Sequence, residues 1–319
     1  MSDAGRRRRL LGAARLLLAA GVVVAVVWAL AGQWDDVRAD LARVSIGALL
    51  LAFALALLSL VFTLLGWRAL LADLGSPLHV APASGVLFVG QLGKYVPGSI
   101  WTVVAQAEVA ARLGVPRRRS AVAGLLSVLL SALAGLGIGV VALPGLLDAG
   151  GSRWYLLLLL LLPLGAVALH PRVLGPLVRL AFRLVRRDPP EKDLSGRAIA
   201  VTAVSFVVAW LCLGLQVWVL VVDLGGDAAD AVVPAVFGYA LAASVGMLAV
   251  FLPAGVVLRE VVLVLLLEGT MGRTAATAVV ILSRFVVTVS DVVAAGAGWA
   301  YARSHRLLAR DGAGRTGAG

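Results

Sequence analysis

The chain has 319 residues, of which 61% are hydrophobic and only 14% charged, and its mean hydropathy is +1.01. An ordinary soluble domain is about half apolar and about a quarter charged, so a soluble enzyme, a DNA-binding domain and a disordered chain are excluded and a polytopic membrane protein remains. The net charge of +11 then reads as Arg-rich cytoplasmic loops rather than as a nucleic-acid surface. A single cysteine, Cys212, excludes an internal disulfide, and His79, His170 and His305 lack metal-ligand spacing, so no metal and no cofactor are expected.

A spanning helix needs about 20 apolar residues, whereas re-entrant pieces run about 10–14. The first expected span, 14–31, follows Arg6 to Arg9 and is too long for a cleaved leader. A polar loop with Asp35, Asp36 and Asp40 leads to a second span at 46–66, ending at Trp67-Arg68. The stretch 80–113 is broken at Gly93-Lys94-Tyr95-Val96-Pro97-Gly98-Ser99 and is followed by Arg112, Arg117, Arg118 and Arg119. Spans at 120–143 and 154–170 come next, then 172–187, whose five arginines among Leu, Val and Phe mark an amphipathic helix lying on the membrane. A span at 197–222 precedes an acidic loop with Asp223, Asp227 and Asp230. The stretch 232–268 is broken at Pro253-Ala254-Gly255, and the last span covers 274–302.

With the N-terminus cytoplasmic and both broken stretches returning to the side they came from, 21 of the 28 Lys/Arg lie inside. Four (Arg38, Arg43, Arg153, Arg273) lie outside and three within the membrane. That asymmetry follows the positive-inside rule. The expectation is an all-α, multi-pass protein of the cell membrane with both termini cytoplasmic, having about six full spans plus two broken, re-entrant helix pairs. The order span, broken stretch, span occurs twice, with the breaks at Pro97 and Pro253 in matching places and the two units oppositely oriented. An inverted-topology repeat is a transporter pattern with its ligand site near the midplane. The whole is one membrane domain: 1–45 an N-terminal span and loop, 46–143 the first repeat, 144–196 the connecting span and amphipathic helix, 197–302 the second repeat, and 303–319 a flexible tail.

Six charges fall inside apolar stretches: Lys94, Arg259 and Arg284, with Glu108, Glu260 and Asp291. Each costs about 2.5–3.5 kcal/mol or more at the centre of a membrane helix, so such residues face a cavity or one another. The signs balance, which makes internal pairing the competing explanation. Arg284 and Asp291 are seven residues apart and share a helix face, as a brace to neighbouring helices requires. Lys94, one of two lysines, sits beside one break, and Arg259-Glu260 lies just past the other. Irregular backbone survives in a membrane only where it is buried or lines a cavity, and the half-helix after each break turns spare N–H groups inward, where they suit a phosphate. The site so built favours an anion, a phospholipid or polyprenyl-phosphate headgroup; Glu108 and Glu260 balance charge, contact the headgroup or carry a proton. Gly90-Gln91-Leu92-Gly93-Lys94 is no nucleotide loop, because it lacks the upstream Gly and the following Ser/Thr.

Gly93-Lys94-Tyr95-Val96-Pro97-Gly98-Ser99-Ile100-Trp101 resembles the first signature of the lysylphosphatidylglycerol synthase transmembrane family, the flippase-like module of the bacterial multiple peptide resistance factor. Pro253-Ala254-Gly255-Val256-Val257-Leu258-Arg259-Glu260 resembles the second, departing from it at Ala254 and Val257, where glycines are expected, and Arg284 and Asp291 resemble charged positions of the final helix. The resemblance spans about 46–302 and implies a lipid-translocating module. It leaves no room for the soluble transferase domain, so the chain is expected not to be an enzyme. The substrate-binding candidates are Lys94, Tyr95, Pro97, Gly98, Ser99, Glu108, Pro253, Gly255, Arg259, Glu260, Arg284 and Asp291. The expected partner is a membrane lipid, anionic or polyprenyl-phosphate-linked, and not nucleic acid. The alternative is a non-transporting membrane partner of a separate lipid synthase or glycosyltransferase.

Overall fold

A computed structural model describes residues 43–95, 100–148, 194–248 and 255–304. The expected spans 14–31 and 154–170, the amphipathic segment 172–187, and the residues Pro97, Gly98, Ser99 and Pro253 lie outside them. The described elements are helical: α1 (Ile46–Asp73), α2 (Val80–Gln91) with a 3-10 turn Leu92–Tyr95, α3 (Ile100–Arg112), α4 (Arg117–Gly139) with a 3-10 turn Val140–Ala142 and short α5 (Leu143–Asp148), α6 (Gly196–Asp223), a π-helical turn Val233–Phe237 leading into α7 (Gly238–Leu248), α8 (Gly255–Met271) and α9 (Arg273–Ser304). Among the described residues four helices are long and apolar enough to cross a membrane: α1, α4 running on to Gly145, α6 and α9 as far as Tyr301. Their most apolar windows are only 28–56% buried inside the protein, and α1 turns Leu50, Leu51, Leu58, Val61 and Leu65 outward. A helix apolar all round with half its surface uncovered belongs in lipid. This is a polytopic membrane protein.

The centre is the antiparallel pair α1 and α6, each 28 residues long. At about 1.5 Å per residue each reaches about 42 Å, past the ~30 Å hydrocarbon core at both ends. In lipid, apolar burial does not draw helices together, so close packing of small residues must. Along α1 the buried face reads Ala48, Ala52, Ala56, Ser59 and Gly66. A Cβ on Gly66 would lie 3.3 Å from Phe206 and Ser205 of α6, and its carbonyl accepts the Thr202 hydroxyl at 3.0 Å. The two ends of the pair are closed alike. Ser45, the N-cap of α1, donates its N–H and hydroxyl to the carboxylate of Asp223 at the end of α6 (2.7 and 2.6 Å). Ser195, the N-cap of α6, donates the same two groups to Asp73 at the end of α1 (2.6 and 2.9 Å). Each helix then stops on a glycine of positive φ, Gly75 and Gly225. α1 outruns the expected limit at Trp67-Arg68 because Trp67, Leu70 and Leu71 are fully buried and the Arg68 Nε donates to the Leu78 carbonyl.

Each broken stretch is a hairpin whose two arms lie side by side. A Cβ on Gly90 would meet Gln106, and one on Gly93 would meet the Thr102 backbone at 2.6 Å, so α2 with its turn runs antiparallel to α3. Gly90 and Gly93 are thus packing glycines, in keeping with the rejection of a nucleotide loop there. In the second hairpin Gly238 of α7 sits against Leu266 of α8. Arg119, at the start of α4, donates to the Gly75 carbonyl and Ser76, and Arg68 holds Leu78, so the first hairpin opens at the Asp73–Ser195 end. The second follows Asp223, whose neighbour Trp218 donates to the Ala228 carbonyl, and therefore opens at the opposite end. The first hairpin leans on α9, where Gly298 meets Gly85 of α2, and the second on α4, where Gly139 meets Leu241 of α7.

Candidate functional site

Lys94 and Tyr95 end the first arm of the first hairpin, and both reach α9. Lys94 Nζ lies 2.6 Å from Asp291 Oδ2, and the Tyr95 hydroxyl donates to the same oxygen at 2.5 Å. The ammonium also lies 5.5 Å from the centre of the Tyr95 ring, a cation–π distance. The Asp291 side chain is 1% exposed and that of Lys94 39%, so the buried carboxylate is reached from the open side by its cation.

Two turns earlier on α9, about 10 Å along the axis, Arg284 pairs with Glu260 of α8. Glu260 also faces Arg259, whose Nη2 is 3.9 Å from the same oxygen. Arg259 in turn lies over the ring of Tyr239, 6.0 Å from its centre. These side chains are a quarter to a third exposed, neither sealed in the core nor free in solvent. Beside them in the core the Ser283 hydroxyl donates to Gln216 Oε1 at 2.9 Å. Thr288, between Arg284 and Asp291, returns its hydroxyl to the Arg284 carbonyl.

The structure thus gathers Lys94, Tyr95, Arg259, Glu260, Arg284 and Asp291 along one helix. Gly255 begins α8, one turn before Arg259. Glu108 is elsewhere: it forms a two-point contact with Arg117, 3.0 and 3.2 Å, on the exposed end where α3 meets α4. Pro97, Gly98, Ser99 and Pro253 fall outside the described residues. With Glu108 elsewhere, the balance of signs on α9 breaks. Among the described residues, three cations, Lys94, Arg259 and Arg284, face two carboxylates, Glu260 and Asp291, leaving one positive charge. A surplus cation among intramembrane charges marks this set as a candidate anion site. Sequence reasoning missed Tyr239 and Gln216; the latter carried a signal, a glutamine deep in an apolar helix, whereas nothing in sequence aims Tyr239 at Arg259. A cavity of about 440 Å³ lined by Ala142, Val233, Pro234, Leu266 and Glu268 opens at the far end of α8 and is not part of this set.

No curated protein matches the chain. The sequence model of the lysylphosphatidylglycerol synthase TM region matches residues 13–295, carrying both signatures and the charged helix α9, and the chain belongs to that family.

Proposed function

We propose that the protein is a flippase-like lipid transporter, not an enzyme, and that it holds a phosphate-bearing headgroup between its two broken helix pairs. The lipid is a phospholipid or a polyprenyl-phosphate-linked molecule. The carrying observation is the excess cation: Arg259 and Arg284 share the single carboxylate of Glu260, so a phosphate lying between them and Lys94 completes the set without stripping Glu260 of a partner. The reading includes an inverted-topology repeat, α1 to α4 against α6 to α9. The reciprocal Ser–Asp caps, the glycine stops and the hairpins opening at opposite ends support it. In that frame the charged set lies where alternating-access carriers hold their ligand. The basic end, with Arg117, Arg118, Arg119 and Arg197, is the cytoplasmic one.

The test is mass spectrometry of lipids co-purified in nanodiscs, wild type against Arg259→Ala. Enrichment of one anionic or polyprenyl lipid that disappears in the variant supports the site and names the substrate. Bulk lipid in both proteins refutes it, and the non-transporting membrane partner then becomes the better account.

A further inference from the structure

We infer that Asp291 is a proton-binding site linked to the headgroup: phosphate arriving at Lys94 displaces Asp291, and Asp291 takes up a proton. This rests on the headgroup site proposed above and adds its coupling ion. The geometry carries it. Asp291 Oδ2 is buried and receives two donors, Lys94 Nζ at 2.6 Å and the Tyr95 hydroxyl at 2.5 Å, both from the end of one hairpin arm. The Lys94 side chain is 39% exposed and that of Asp291 1%, so of the two it is Lys94 that an arriving anion can reach. A phosphate and Asp291 then compete for one cation. If the phosphate wins, Asp291 is left as a buried carboxylate with only a hydroxyl to support it. A charge so placed neutralises rather than remain unpaired.

The balance is simple. Before binding the pair is Lys94 ammonium with Asp291 carboxylate; afterwards it is ammonium with phosphate, and a neutral carboxylic acid hydrogen-bonded to Tyr95. One proton enters from water for each headgroup bound, and it leaves when the headgroup does. The other ionisable groups near Asp291 among the described residues are Arg284 two turns away on α9, Tyr239 of α7, and Arg259 and Glu260 of α8. Glu260 remains held by its arginines throughout, so the proton goes to Asp291. The membrane-embedded parts of α1, α2 and α6 that flank α9 bring no Asp, Glu, Lys or Arg to this level. Linkage fixes the sign: a reaction that takes up one proton loses affinity as pH rises, by about tenfold per unit at most.

The experiment titrates the full chain in phosphatidylcholine nanodiscs with dihexanoyl phosphatidylglycerol, whose phosphodiester stays singly charged across the working range. Calorimetry in two buffers of different ionisation heat counts the protons taken up. The expected result for wild type is close to one proton per lipid, with an affinity that falls as pH rises. Asp291→Asn is expected to bind with no proton uptake and no pH dependence, as tightly as wild type at low pH. Tyr95→Phe keeps the carboxylate and loses the hydroxyl, so uptake is expected to persist; its loss there would move the proton off Asp291 and overturn the coupling, and this variant carries the test if Asp291→Asn does not fold. Binding by wild type without uptake, or uptake retained in Asp291→Asn, overturns the coupling and leaves the headgroup site standing. No binding by wild type overturns the site and the coupling together.

Discussion

Glu260→Gln is the substitution for which the headgroup site and a purely structural role predict opposite outcomes. The side chain keeps its shape and loses its charge, so Arg259 and Arg284 lose their shared counter-ion. Removing one partner of a fully buried pair costs about 3–5 kcal/mol. Here the three side chains are 25–29% exposed, which lowers the expected loss of stability to about 2 kcal/mol. Affinity for an anion should move the other way. The surplus in the set rises from one positive charge to two. At about 7 Å and an effective dielectric constant of about 20, one further unit charge contributes about 2.4 kcal/mol, or about fiftyfold. A gain of about ten- to fiftyfold for dihexanoyl phosphatidylglycerol is therefore expected, alongside a lower unfolding midpoint in mixed micelles. Translocation in vesicles should slow, because deeper binding of the resting headgroup raises the barrier to its release. A destabilised variant with unchanged or weaker anion affinity would refute the reasoning: the pair would then be a brace and nothing more.

The reciprocal caps give a stability prediction. Asp73→Ala and Asp223→Ala each remove two hydrogen bonds to an N-cap serine, so each should cost about 1–2 kcal/mol by equilibrium unfolding. Because the two caps are about 42 Å apart, the double variant should lose the sum within about 0.5 kcal/mol; unequal or strongly non-additive losses would show that the two ends are not equivalent. Gly139→Leu places a side chain where even a Cβ would lie 2.7 Å from the Leu241 backbone, so α4 and α7 must part and about 1–3 kcal/mol is lost; a neutral variant contradicts the close packing. Glu108→Gln breaks the exposed contact with Arg117, away from the charges along α9, and probe affinity should change by less than about twofold. A tenfold loss would return Glu108 to the site.

The four spans among the described residues were legible because membrane helices must satisfy their own backbone over about 20 residues, and the sequence shows that length directly. Helix ends were less so. α1 continues beyond Trp67-Arg68 because neighbours bury the tryptophan and a carbonyl receives the arginine, and neither partner is visible in a hydropathy pattern. One local signal was overlooked. Ser45 to Asp73-Leu74-Gly75 and Ser195 to Asp223-Leu224-Gly225 repeat the same residues at the same spacing; read as cap, terminal carboxylate and glycine stop, they mark two matching antiparallel helices. The charged residues were legible because their cost in lipid makes each one conspicuous. Which charge meets which was not, since pairing depends on how hairpins dock. Glu108 looked like a member by its place in an apolar stretch, yet one turn of chain returns Arg117 beside it. Asp291 and Arg284 share a face as the spacing requires, but they hold different partners, one on the first hairpin and one on α8.

Under the inverted arrangement, the two halves fold alike and differ in chemistry, and the difference bears on how a lipid passes. Gly298 of α9 and Gly139 of α4 occupy equivalent crossings with the opposite hairpin. Counting back seven residues from each gives Asp291 on α9 and Ala132 on α4; counting back fourteen gives Arg284 and Leu125. Ala132 is buried and Leu125 is 56% exposed. Where one flank offers a carboxylate and a guanidinium, the other offers a methyl group packed inside and an isobutyl group facing outward. The second flank also holds Gly135 close against Ser244 and Trp210, and the Trp210 indole N–H donates to the Ser131 carbonyl. That neutral contact changes little in energy with the charge of a passing headgroup. A carrier with two equal polar flanks would give its ligand two routes and bind it on either. Under the proposed function, confining the charges of the described residues to hairpin one, α8 and α9 would give the lipid a single polar route, with the neutral flank as packed surface beside it.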